Sequence, residues 1–258
     1  MEEVLYRIVL LIAGGVNVLI ALVLLYNNIW FSNYDVYRRA RSLVALCYVV
    51  FAVGFVLHAH FELRTTWSLG ASALSVSYFH VGAVLFGWSH TMLMRPDYLT
   101  RGVVARDLII LFMGLVAYWV SVLYCGVTVF YVSLLVFFAH ALLVTYIFYR
   151  TYHDVRRDLM RMPADDNARR WWTPEVKRTV LGGHHSFMIA CRLIVLFGIG
   201  SMIVTAAFPT GLAPYTVLTT LGVMVYCYIF YAITEYGNVI DAATCATEDA
   251  EMGMKNEY

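Results

Sequence analysis

A chain of 258 residues that is 61% hydrophobic and only 14% charged has too little polar surface for a soluble fold of its size, and reads as an integral membrane protein. Its net charge of +1, with no basic stripe interleaved with stacking aromatics, points to no nucleic-acid partner. Five cysteines, Cys47, Cys125, Cys191, Cys227 and Cys245, show neither a C-x-x-C pair nor metal spacing, which argues against disulfide chemistry and thiolate metal centres.

Seven apolar stretches, residues 4–27, 42–60, 67–94, 107–124, 127–149, 185–208 and 213–236, each supply about the 20 residues needed to cross a ~30 Å hydrocarbon core. They predict an all-α integral membrane fold, a bundle of seven transmembrane helices over residues 1–237, followed by an acidic tail over 238–258. The first stretch follows Glu2 and Glu3, lacks a basic leader and has no small-residue cleavage pattern behind it, so it reads as an uncleaved anchor. The basic residues then fall in alternate connections. Arg38, Arg39 and Arg41 follow the first stretch, and Arg95, Arg101 and Arg106 follow the third. Arg150, Arg156, Arg157, Arg161, Arg169, Arg170, Lys177 and Arg178 follow the fifth, and Lys255 lies in the tail. Of the 18 basic residues only Arg7, Arg64 and Arg192 lie elsewhere. By the positive-inside rule these connections and the C-terminus face the cytoplasm and the N-terminus faces outside, as expected for a multi-pass protein of a bacterial inner membrane with the lipid bilayer as its first partner.

The connections on the other side, HFELRTT, YCG and FPTGLAP, are too short for an external ligand-binding domain. The fifth connection, residues 152–184, is the longest. Trp171 and Trp172 beside basic residues read as an interfacial anchor, Thr173 and Pro174 as a helix start, and Gly182 with Gly183 as its stop. This connection and the tail, with Asp241, Glu248, Asp249, Glu251 and Glu257, form the expected docking surface for a cytoplasmic signalling protein. No kinase, cyclase or helix-turn-helix module follows the last span, so any readout is expected on another chain.

Ionisable groups at membrane depth are the candidate functional residues, because they are costly in lipid and face a cavity or a partner. His80 and His140 each lie about 13 residues from the outer ends of the third and fifth stretches, roughly 20 Å deep at ~1.5 Å per residue. Their matched depth predicts one intramembrane pocket lined by His80, His140, Trp88, Tyr118 and His58, binding a ligand or responding to protons. Two other readings compete with it. One is purely structural bonding to the hydroxyls of Ser75, Ser77, Tyr78, Ser121, Ser133 or Tyr146. The other is ligation of haem iron, against which His80 and His90 stand about 80° apart on their helix. A second cluster, Arg192, Glu235 and Asp107, sits at one membrane face and predicts an ion pair or a latch. No catalytic residue, metal site or cofactor is predicted. Gly14 with Gly15, Ala83 with Gly87, and Gly198 with Gly200 and Ser201 predict close helix packing, and Asn17 needs an interhelical partner.

The absence of a lysine in the last span excludes a retinal Schiff base, and Val76 stands where the Ser-x-x-x-His of membrane metal hydrolases such as alkaline ceramidases needs serine. The layout as a whole, with AGGVN, NYDVYRRAR, FVLHAHFE and SVSYFHVGAVLFGWSH, resembles the seven-helix membrane input modules of bacterial signalling proteins and uncharacterised integral membrane proteins of Bacteroidota. The resemblance implies a non-enzymatic sensor or signalling-partner subunit with an intramembrane pocket, its output passing through a separate cytoplasmic protein. A proton-linked transporter or channel-like protein is the alternative, and a haem-binding membrane redox subunit the third. Homo-oligomerisation is compatible with all three.

Overall fold

The computed structural model describes residues 1–26, 34–161, 174–208 and 210–255; of these, the side chains of 156, 158–161, 174–185, 206 and 239–255 are not described. Seven long helices carry the chain: α1 Glu2–Tyr26, α2 Asp35–His60, α3 Ser68–Met94, α4 Arg101–Val120, α5 Val127–Arg161, α6 Pro174–Ala207 and α7 Leu212–Lys255. Each contains a segment long and apolar enough to cross a membrane, and no strand occurs among the described residues. The protein is therefore an all-helical, multi-pass membrane protein. In a hydrocarbon core each backbone N–H and C=O must be bonded within its own segment, and continuous helices meet that demand.

The helices outrun the apolar stretches. α2 begins at Asp35, whose carboxylate accepts from Arg38 Nη2 at 2.7 Å, and α4 begins at Arg101 after Thr100, whose hydroxyl accepts from the Val103 N–H at 3.3 Å. Hydropathy marks only the part of a helix that lies in hydrocarbon, so polar first turns are missed. Gly182 and Gly183, expected to stop a short helix, lie within α6. A glycine in a helix costs only about 1 kcal/mol, less than breaking the backbone ladder near a membrane. The Trp171 and Trp172 anchor and the acidic side chains of the tail lie outside the described residues.

α3 is the hub. In its most apolar segment 72% of residues are buried, against 17% for α4, and it packs against α2, α4 and α5 and more lightly against α6. Two glycines allow the close approach: Phe51 of α2 fills the space beside Gly82, and Val144 of α5 fills that beside Gly87. α1 packs on α2 and α7, and α6 on α7, whereas α5 and α6, among the described residues, meet more lightly, through Phe148 against Phe187 and Met202 against the Leu134 and Phe137 cluster. Gly14 packs on α2 as expected, but Gly15, Gly198 and Gly200 face open space. Asn17 donates from Nδ2 to the Ala13 carbonyl of its own helix at 2.8 Å rather than to a neighbour. Beyond Val120, α4 ends in one π turn, Ser121–Cys125, closed by the Gly126 N–H donating to the Ser121 carbonyl at 2.8 Å. Gly126 has φ +89, a value that favours glycine.

Candidate functional site

Three helices bring their polar residues to one buried line. α3 contributes His80 and Trp88, α4 contributes Asp107 and Tyr118, and α5 contributes His140. All are buried, with His80, Asp107 and Tyr118 at 0% exposure. Tyr118 Oη lies 2.9 Å from His80 Nδ1, His80 Nε2 lies 2.8 Å from His140 Nδ1, and His140 Nε2 lies 3.5 Å from Asp107 Oδ1. Trp88 Nε1 donates to Asp107 Oδ2 at 2.7 Å, and Arg106 Nε to Asp107 Oδ1 at 2.8 Å.

Proton positions follow from the ends of this chain. The Asp107 carboxylate only accepts, so His140 carries its proton on Nε2, which leaves Nδ1 as an acceptor. His80 must then donate from Nε2, and its Nδ1 accepts from the Tyr118 hydroxyl. One direction of donation thus runs from Tyr118 through both imidazoles to Asp107. Passing a proton along such a line leaves both imidazoles in the opposite tautomer. Its longest link, His140 to Asp107, is also where it meets charge.

Gly114 makes the line sterically feasible. A Cβ at that position would meet His80 Cε1 at 2.9 Å, His80 Nδ1 at 3.0 Å and the Tyr118 hydroxyl at 3.0 Å. Gly114 precedes Tyr118 by one turn, so the helix drops a side chain where the phenol reaches over to α3. The Phe137 ring edges against His80 with centroids 5.3 Å apart.

The two ends of the line differ. Past Tyr118 it is closed by a packed cluster of Ala73, Val76, Phe130, Leu134 and Phe137. At the other end Arg106 is 38% exposed, so the line reaches the surface at the α3–α4 connection. Tyr98 of that connection interacts with Arg106. Burial, then the nearby Asp107 charge, raises the Tyr98 hydroxyl above its ordinary value, and Arg106 opposes the shift.

Of the residues picked from the sequence, His80, His140, Trp88 and Tyr118 thus meet in one network, while His58 belongs to another. His58 Nε2 is 3.0 Å from Ser75 Oγ, beside Arg64, which donates to Ser72 Oγ at 2.8 Å and Ser75 Oγ at 3.2 Å and lies 3.6 Å over the Tyr215 ring. The grouping of Asp107 with Arg192 and Glu235 needs correction. Asp107 pairs with Arg106, and among the described residues no ion pair joins Arg192 to Glu235. Arg192 follows core-facing Cys191 by one position, about 100° around α6, and is exposed on the outside of the bundle. Sequence reasoning missed Gly114 and the role of Arg106. The signals were a glycine one turn before an intramembrane tyrosine and a basic residue adjoining an intramembrane aspartate.

A second feature lies across α3 from the relay. A cavity of about 120 Å³ is bounded by α2, α3, α5, α6 and α7, its walls apolar and rich in aromatic rings, including Phe51, Phe86, Phe137 and Phe197. Among the described residues no group of three or more His, Cys, Asp or Glu side chains is placed to hold a metal ion. Fold and site together define a multi-pass α-helical membrane protein built around a buried polar relay. No family model, no curated protein and no solved structure matches the chain.

Proposed function

We propose that this chain is a non-enzymatic membrane sensor, or the membrane subunit of a signalling pair, whose output passes to a separate cytoplasmic protein. The observation that carries the reading is the one-sidedness of the relay. A conduit needs polar continuity to both faces, and here packed side chains of the Phe130 and Phe137 cluster close one end. A sensor needs access from one face only. A proton or small polar ligand arriving at Arg106 and Asp107 alters hydrogen bonds that tie α3, α4 and α5 together, so local charge becomes helix packing. The arginine bias of alternate connections supports an N-terminus outside, and with that orientation the open end of the relay would face the cytoplasm. The α5–α6 connection and the segment after α7 are then the surfaces a partner would meet.

The test pairs two measurements on the purified protein. Infrared difference spectra after a pH jump in nanodiscs should contain carboxylate and imidazole bands that Asp107→Asn abolishes. Proteoliposomes loaded with a pH dye should take up no protons under an imposed membrane potential. The depth over which the relay runs favours a proton-linked transporter as the second reading. Uptake that is lost in His80→Phe would replace the sensor with it.

A further inference from the structure

The cavity beside α3 is a slot that runs along the bundle. α3 lines it from Phe79 to His90, α5 from Phe137 to Tyr149, and α6 from Cys191 to Met202. At ~1.5 Å per residue each of these walls is roughly 17 Å long. On α3 and α5 the slot starts near the middle of the membrane-crossing segment and ends near its C-terminal end. It therefore spans about one leaflet, half of a ~30 Å hydrocarbon core. A volume of about 120 Å³ drawn out over that length is narrow, the shape of a single hydrocarbon chain.

One side of the slot opens to lipid. α5 and α6 meet toward its two ends, Phe148 against Phe187 with ring centroids 6.1 Å apart, and Met202 against the cluster that holds Leu134 and Phe137. Between these contacts Phe138 and Leu142 of α5 and Ile199 of α6 line the slot and are also exposed on the outside of the bundle, at 40%, 49% and 41%. Gly198, with nothing within 4 Å of where its Cβ would stand, widens the same mouth. Walls this apolar offer water too few partners to hold it, and the medium outside is hydrocarbon.

A cation sits at the edge of that mouth. Arg192 is exposed and precedes Ile199 by seven positions, about 700°, so the two share one stripe of α6 to within about 20°. Among the described residues it pairs with no carboxylate. A cation inside a span and facing lipid is costly unless it snorkels toward the interface and meets an anion there. The anion that the interface supplies is a lipid phosphate, and the acyl chains of that lipid begin beside it. We infer that the slot and Arg192 together hold one phospholipid of the leaflet on the Arg106 side. An acyl chain lies in the slot between α5 and α6, and the phosphate accepts from the Arg192 guanidinium. This inference rests on the slot and Arg192 alone and stands or falls independently of the relay.

The experiment uses the full chain in dodecyl maltoside micelles, which hold no phosphate, with a trace of phosphatidylglycerol carrying a diazirine in the middle of one acyl chain. Illumination and peptide mapping should place the label on slot walls, at Ala141, Val195 or Gly198, at least about 10-fold above Phe112 and Met224, which are exposed elsewhere on the bundle. Gly198→Leu fills the slot and should remove the wall label; Gly200→Leu, equally open but not on the slot, should leave it. Unlabelled phosphatidylglycerol should compete at least about 10-fold better than dioleoylglycerol, which has the chains without the phosphate, the worth of one charge-assisted bond. Arg192→Gln should bring the two competitors together, and Arg192→Lys should keep them apart. Because the two lipids are compared in the unaltered protein, a variant that fails to fold does not blunt the test. Wall label no stronger than that at Phe112 and Met224, wall label that survives Gly198→Leu, or equal competition by the two lipids would overturn the inference. Palmitic acid competing better than phosphatidylglycerol would assign the slot to a free fatty acid and overturn it as well.

Discussion

Gly114→Ala tests whether the relay is a tightly fitted object. The added methyl would lie 2.9 Å from His80 Cε1, 3.0 Å from His80 Nδ1 and 3.0 Å from the Tyr118 hydroxyl, each well inside ordinary contact. None of these atoms is a free side-chain end: His80 is held at both ring nitrogens, and Tyr118 is bonded to one of them. Overpacking of this kind costs about 1–3 kcal/mol, and losing the Tyr118 to His80 bond adds roughly 1 kcal/mol. Alanine gains about 1 kcal/mol over glycine as a helix former, so the net destabilisation is about 1–3 kcal/mol. The assay is reversible unfolding in mixed micelles titrated with SDS, followed by helical circular dichroism. Tyr118→Phe removes one of the crowded atoms, so the double variant should lose less than the two single losses added. A Gly114→Ala protein within 0.5 kcal/mol of the parent, or strictly additive losses, would refute the fitted relay.

Asp107→Asn keeps the shape but turns an amide N–H₂ toward Trp88, Arg106 or His140; solid-state nitrogen NMR should find Nε2–H on both His80 and His140 in the parent and a disturbed His140 in the variant, and Nδ1–H in the parent would contradict the assigned direction. Trp88→Phe keeps most of the apolar ring while removing a donor to a carboxylate, a loss of about 1.5–3 kcal/mol in the same unfolding assay. Tyr98 gives a pH signature with a definite sign. Its hydroxyl is raised in the folded protein, so its share of stability is complete below the unfolded value near 10.0 and is lost as pH rises toward the folded value. Tyr98→Phe should therefore flatten the alkaline fall in stability, and an unchanged alkaline limb would count against the burial of that hydroxyl. Cys125 is exposed at the turn after α4, so an impermeant maleimide should label it in intact cells. Labelling that requires permeabilisation would invert the topology.

Seven apolar stretches mapped onto seven helices because hydrocarbon imposes one length and one backbone solution on each crossing. The helix ends were less legible. Asp35 and Arg101 begin helices through carboxylate and hydroxyl contacts that a hydropathy window averages away. Depth counting put His80 and His140 at one level, and their rings are hydrogen-bonded. It failed for Arg192, because depth fixes a position along a helix axis but not around it, whereas His58, near the end of α2, lies at the level of Arg64 and was wrongly grouped with the deeper pair. Arg192 needed only its neighbour Cys191 turned inward to be carried off the core. His90 was set aside because its angle to His80 did not suit a second haem. That same angle, about 80° around α3 from His80, sets it against the Phe187 ring of α6.

α3 presents different chemistry on its two sides because Trp88 and His90 are two positions, about 200°, apart around the helix. Trp88 reaches Asp107 on α4, and His90 stacks on Phe187 with centroids 4.8 Å apart beside the cavity. The two sites still share a wall. Phe137 lines the cavity and also edges against His80, so an occupant pressing on that ring presses on the middle of the relay. Displacing Phe137 would strain the 2.8 Å bond between His80 and His140, which joins α3 to α5, before it touched any bond of α1, α2 or α7. An occupant of that cavity and a proton arriving at Arg106 would then act on the same three helices, one through packing and the other through charge. On the proposed reading, that convergence would let either input produce one change of packing, with Phe137 as the residue through which the inputs meet.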